Sequence, residues 1–161
     1  MTVEEYNTAV DRHADNLYRF VLKNVKVEDT AGDIVQDTFE KLWRKLEHVN
    51  ADSVKSYLFT TAYHTLIDYI RKMNRIKDLE EVNMDKHYHD QQYSDVQEIL
   101  NRAIEKLSPD QRSVLMLRDY EGYSYKEIAE ITNLSESQVK VYIYRARVYL
   151  KEYIGSLEKV I

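Results

Sequence analysis

The chain has 161 residues, 43% of them apolar, and a formal net charge of −5. That length holds one domain or two small ones, and three glycines with one proline favour long helices over a turn-rich sheet fold. The acidic balance excludes a bulk nucleic-acid coater, the lack of cysteine excludes disulfides and thiolate metal sites, and no apolar run of about 18 residues could cross a membrane. The opening MTVEEYNTAV is acidic and unlike a signal peptide, so the expectation is a soluble, cytoplasmic protein.

Tyr6, Val10, Leu17, Val21 and Val25 recur at helical spacings, which predicts an amphipathic helix over about residues 3–24. A second helix is expected from Asp29-Thr30, both good N-cap types, with Ile34, Val35, Thr38, Phe39, Leu42, Trp43 and Leu46 on one stripe. Its first turns hold Glu28, Asp29, Asp33, Asp37 and Glu40, with no base between Val27 and Glu40. Acids there complement the helix dipole, and on their own they describe a solvated, stabilised face.

A third helix is expected from Asp52 or Ser53, with Val54, Tyr57, Leu58, Thr61, Ala62, Thr65, Leu66, Tyr69 and Ile70 in helical register. Tyr63, His64 and Asp68 should project between the core stripes, and His64 by itself reads as a structural histidine. The helix ends in Arg71, Lys72, Arg75 and Lys77 with no acid among them. Such cations suit a helix C-terminus, and they equally resemble a phosphate-facing patch.

The periodicity then stops. Residues 78–98 carry seven acids and one base, Lys86, which reads as a mobile linker between two modules. An acidic segment between basic patches could fold against one of them and block it. His87-Tyr88-His89 lacks a third ligand at a useful spacing and is not read as a metal site.

Val96, Ile99, Leu100, Ala103, Ile104 and Leu107 predict the next helix. Ser108 then caps another, with Pro109 at N1, Gln111 at N3 and Val114, Leu115 and Leu117 inward, until Gly122. The last stretch, SYKEIAEITNLSESQVKVYIYRARVYLK (Ser124–Lys151), holds two capping boxes, Ser124 with Glu127 and Ser135 with Gln138. Asn133 between them suits the left-handed conformation that ends a helix. Two capped helices on a tight turn are a helix-turn-helix or an ordinary helical hairpin. From Glu136 to Lys151 the balance is +3 in a chain of −5, which favours DNA contact.

Three segments, in order, resemble a bacterial sigma factor of the sigma-70 family, and more narrowly its small extracytoplasmic-function (ECF) group. DIVQDTFEKLW (Asp33–Trp43) is similar to the family's polymerase-binding helix, and YLFTTAYHTLIDYIRK (Tyr57–Lys72) to its promoter-melting helix. LSPDQRSVLMLRDYEGYSYKEIAEITNLSESQVKVYIYRAR (Leu107–Arg147) resembles its fourth region. The resemblance implies an all-α fold of two small domains joined by a flexible acidic linker. A three-helix region 2 would span residues 1–76, the linker 77–95, and a four-helix region 4 with the helix-turn-helix 96–161.

It also implies roles. Asp33, Gln36, Asp37, Glu40, Lys41, Trp43 and Arg44 would meet the clamp helices of the largest subunit of core RNA polymerase. His64, Asp68, Arg71, Lys72 and Arg75, with the loop from His48 to Ser56, would face the −10 element and capture an unstacked base. Ser124, Ser137, Lys140, Val141, Tyr144, Arg145 and Arg147 would meet the −35 element, Arg145 reading guanine and Ser124 and Arg147 touching phosphate. The flap of the second-largest subunit, promoter DNA and an anti-sigma factor are the other implied partners. The anti-sigma factor is the route by which a chain without membrane insertion would be held at a membrane. The family often carries Asn at the His64 position and a small polar or basic residue at Val141 or Tyr142, so no base preference is fixed. No cofactor and no catalysis are implied. The competing readings are a stand-alone helix-turn-helix regulator, which lacks a dimer seam here, and a helical metal enzyme, for which His13, His48, His64, His87 and His89 are badly spaced.

Overall fold

In a computed structural model, residues 1–80 and 96–158 are described, and the described residues hold helices and no strand. The linker's mobility, its blocking role and the His87–His89 pair lie outside them. The first module comprises α1 (Val3–Val25), α2 (Glu28–Arg44) and α3 (Val54–Glu80), with two short 3-10 turns between α2 and α3. The second comprises α4 (Val96–Glu105), α5 (Pro109–Asp119), α6 (Tyr125–Thr132) and α7 (Glu136–Glu158). Residues 77–80 continue α3 rather than leaving it.

Local chemistry sets the ends. Thr2 and Glu5 form a capping box at α1 that the sequence reading missed, with Thr2 Oγ1 accepting from the Glu5 N–H at 3.1 Å. α2 begins one residue before Asp29 and Thr30, its N-cap is Val27, and no side chain caps it. Ser108 caps α5 ahead of Pro109, as expected.

In the first module Leu17, Phe20, Leu42, Leu58, Phe59 and Leu66 are fully buried, and Phe20 meets Phe59 edge-on at 5.4 Å. Each such side chain contributes roughly 1.5–3 kcal/mol by leaving water. Two expectations fail here. Trp43 lies 100° around the helix from Leu42 and is 49% exposed, edge-on to Tyr6 at 5.0 Å, rather than in the core. Tyr63, expected to project outward, is 5% exposed.

Tyr63 is buried because the modules pack together. α1 rests on α5, α3 rests on α6, and one continuous apolar cluster runs from Leu17 and Phe59 to Tyr123 and Ile143. Two polar clasps border it. Arg112, 3% exposed, donates through Nε to Asn24 Oδ1 at 3.0 Å and through Nη1 to the carbonyls of Glu105 at 3.0 Å and Leu107 at 3.3 Å. Burial pulls its pKa down and the nearby Glu105 charge pulls it back. In the second clasp, Gly122 (φ 74°) lets the chain double back after α5, with the Tyr123 N–H donating to the Leu117 carbonyl at 3.0 Å. That turn delivers Glu121, its side chain 2% exposed, to Arg19 at 3.2 Å and Lys55 at 3.7 Å.

Candidate nucleic-acid and protein interfaces

The helix-turn-helix is built as its caps require. Ser124 Oγ accepts from the Glu127 N–H at 3.1 Å and Ser135 Oγ from the Gln138 N–H at 3.1 Å, while Glu127 and Gln138 accept from the cap backbones in return. The Glu127 carboxyl is held below its usual range, chiefly by the Ser124 backbone N–H. Asn133 sits at φ 60°, ending α6 so that α7 can cross it. Ile128, Ile131, Val139, Ile143 and Ala146 bury the inner faces.

The outer face of α7 carries the residues expected at the −35 element. Ser137, Lys140 and Arg145 are exposed, Val141 is 42% exposed and Tyr144 69%. Arg147 is exposed but engaged: its Nη2 donates to Asp119 Oδ1 at 2.7 Å, which raises its pKa. A phosphate there would compete with Asp119. Lys140 lies 5.6 Å over the Tyr125 ring and 3.8 Å from Glu136.

On α3, His64, Asp68, Arg71 and Arg75 are all exposed and follow one another by four, three and four residues, so they share one stripe. Lys72 is exposed one helical turn beyond Asp68. His64 is exposed rather than buried as a structural histidine, with its ring edge-on to that of Tyr63 at 5.5 Å.

On α2, Asp33, Gln36 and Glu40 are exposed and Asp37 is half-buried. Lys41 pairs with Asp37 at 3.0 Å and Arg44 with Glu40 at 2.6 Å along the same helix. Exposed pairs of this kind are worth about 0.3–0.5 kcal/mol, so they leave the face available to a partner. Beside it, Tyr6, Val10, Gln36, Phe39, Glu40 and Trp43 line an open groove of about 450 Å³. Among the described residues, no group of three His, Asp or Glu could hold a metal ion, and no helix is long and apolar enough to cross a membrane.

Together these features define an all-helical protein with a helix-turn-helix and two outward basic faces on separate modules. The family model described as sigma-70 region 2 matches residues 9–76, and that described as sigma-70 region 4 matches residues 97–150. The RNA polymerase sigma factor SigV of Bacillus subtilis is 32% identical over 142 residues, covering 86% of this chain and 84% of that protein. The ECF RNA polymerase sigma factor SigM of the same organism is 28% identical, covering 94% of each chain. Among solved structures, the sigma factor RpoE in complex with the anti-sigma factor NepR from Bartonella quintana superposes with a TM-score of 0.79 at 29% identity, covering 95% of this chain and 98% of that one. CnrH in complex with the cytosolic domain of CnrY gives a TM-score of 0.66 at 25% identity, covering 94% and 88%. The chain belongs to the sigma-70 family and is an RNA polymerase sigma factor of the ECF group.

Proposed function

We propose that this sigma factor binds core polymerase through the acidic face of α2 and reads promoter DNA through the ends of α3 and α7. The observation that carries this is the sorting of charge. A chain of net −5 gathers exposed Arg71, Lys72 and Arg75 on one helix and Lys140 and Arg145 on another, and places Glu28, Asp29, Asp33, Asp37 and Glu40 on α2. In this reading Asp33, Gln36, Asp37, Glu40 and Trp43 meet the clamp helices of the largest subunit, and the second module meets the flap of the second-largest. The stripe His64–Arg75 meets the −10 element, and Lys140, Val141, Tyr144 and Arg145 enter the major groove at −35. The protein forms no bonds itself; it supplies specificity and holds the open strand. It works in the cytoplasm, and an anti-sigma factor, as in the RpoE–NepR complex, controls it and holds it at a membrane when that factor is membrane-bound.

The test is gel filtration of the purified chain with bacterial core RNA polymerase, where a one-to-one complex is expected. Asp37→Lys with Glu40→Lys should abolish co-elution. Arg145→Ala should keep it and lower −35-dependent transcription about tenfold, the worth of one bidentate base contact. A dimer that binds duplex DNA and ignores polymerase would establish the stand-alone regulator instead.

A further inference from the structure

A groove of about 660 Å³ opens between the modules, and none of the residues assigned above to polymerase or DNA lines it. Its volume falls in the ~300–1,000 Å³ of small-molecule sites. Tyr69, Ile70, Met73 and Ile76 of α3 form one wall, and Val25 of α1 and Leu107 beyond α4 continue the apolar lining. Met73 is 42% exposed and Ile76 37%, so nothing among the described residues covers that wall. Aliphatic side chains with a pliable thioether suit a flexible hydrocarbon chain. Two turns of a partner helix, ~11 Å across and ~11 Å long, fill about 1,000 Å³, more than the groove holds.

The rest of the lining is positive: Lys26, Lys77 and Arg112 stand against one acid, Glu105, in a chain of net −5. Lys26 Nζ donates to the Glu105 carbonyl at 2.9 Å. Arg112 is 3% exposed, yet among the described residues it hydrogen-bonds only neutral oxygens, and its Nη2 reaches the Asn24 carbonyl at a long 3.5 Å. Buried charges are normally paired with an opposite charge. Here the missing anion has a place to sit, in the groove that Arg112 lines, and a planar carboxylate matches the guanidinium fork.

We propose that this groove binds a single-chain amphiphile with a carboxylate head, a long-chain fatty acid, whose presence holds the two modules packed. The head meets Arg112, and the chain lies along Ile70, Met73 and Ile76. The walls come from both modules, so the ligand binds only the packed arrangement. That arrangement cannot serve both promoter elements. Elements at −35 and −10 lie about 25 base pairs apart, or ~85 Å at ~3.4 Å per pair, whereas a compact chain of this length is only ~40 Å across. The ligand therefore opposes promoter engagement, a consequence that rests on the sigma-factor reading above, while the site itself does not.

The probe is dodecanoate, added as monomer to the full chain and followed by titration calorimetry. One equivalent should bind saturably. Dodecanol, with the same chain and no charge, should bind about tenfold more weakly or worse, the worth of a charge-assisted bond to Arg112. Decanoate should also lose about tenfold, since each buried methylene is worth roughly fourfold. Met73→Asp and Ile76→Asp, at exposed wall positions, should keep wild-type ellipticity and abolish dodecanoate binding.

The chain has no cysteine, so Asn7→Cys and Glu130→Cys, at exposed positions of α1 and α6, accept a fluorophore pair that reports module separation by energy transfer. Energy transfer should fall when the labelled chain, with bacterial core polymerase, engages promoter fragments that the wild-type holoenzyme selects from a random DNA library. Dodecanoate at about ten times its dissociation constant should raise the polymerase–promoter concentration needed for half of that fall about tenfold, and should change nothing in Ile76→Asp. Equal binding of dodecanol and dodecanoate, undiminished binding by both Asp variants, or no saturable binding overturns the site. No binding together with a dimer that Ile76→Asp dissociates gives the groove to a second copy of the chain. Binding that leaves the fall in energy transfer unmoved overturns the hold on the modules. A chain that binds dodecanoate but forms no polymerase complex sinks the sigma-factor reading and leaves the site standing.

Discussion

Arg112 is a buried cation with no carboxylate in its hydrogen-bond shell. Its guanidinium meets the carbonyl oxygens that end α4, at Glu105 and Leu107, and the Asn24 side chain near the end of α1. Helix C-termini carry partial negative charge and unpaired carbonyls, so one planar fork satisfies two helix ends at once. Ser113 Oγ donates to the same Asn24 oxygen at 3.1 Å, and Asn24 Nδ2 donates back to the Phe20 carbonyl at 2.8 Å. Arg112→Ala leaves these acceptors buried without a donor, and urea unfolding should show a loss of about 2–4 kcal/mol. Arg112→Lys, with one point charge, should recover less than half of that. A change within about 0.5 kcal/mol for Arg112→Ala would mean that water replaces the fork without cost. None of this was legible in the sequence, because Asn24 is 88 residues away and nothing local marks Arg112 off from a solvated base on an outer face.

At the scale of elements, what could be read was what is local. Ser108, Ser124 and Ser135 each cap within three residues of themselves, and all three were placed correctly. Asn133 was placed at the turn for its tolerance of the left-handed region, and it sits there at φ 60°. Alanine at that angle costs about 1–2 kcal/mol, so Asn133→Ala should lower the stability of the second module by roughly 1 kcal/mol, while Asn133→Gly should leave thermal melting nearly unchanged. Equal losses in both would show that the Asn side chain, not the backbone angle, matters. The misreadings have a shared cause. Trp43 and Tyr63 were assigned by hydropathy and angle around one helix, whereas their burial depends on what other helices place against them. Tyr6 offers Trp43 only a ring edge, whereas the second module sets Asp110 against the hydroxyl of Tyr63, which is 5% exposed. The basic end of the exposed α3 stripe could be read locally, but the packing of Tyr63 beside it could not, since its hydroxyl meets Asp110, 47 positions away.

For the whole molecule, the governing fact is that the modules share a core, and that seam should respond to pH. Tyr63 and Tyr123 both lie in it, and each has its pKa pushed up from 10.0 to about 12, first by burial. For Tyr63 the neighbouring Asp110 adds to the rise, and Arg71 opposes it. For Tyr123 the Glu121 charge adds, and Ser56 opposes. Among the described residues the Tyr123 hydroxyl has no hydrogen-bond partner of good geometry. A group whose pKa is raised on packing stabilises the packed state below its free value and loses that contribution as pH climbs through the raised one. The packed state is therefore fully supported below pH 10 and weakens from about pH 10 to about 12, as the separated form sheds protons that the seam retains. Each module keeps its own buried apolar residues, so energy transfer between labels on α1 and α6 should fall in this window before far-ultraviolet ellipticity does. Replacing both tyrosines by Phe should remove most of the transition. Separation that only accompanies loss of helix would show instead that the two modules fold as one cooperative unit, with the seam as strong as either core.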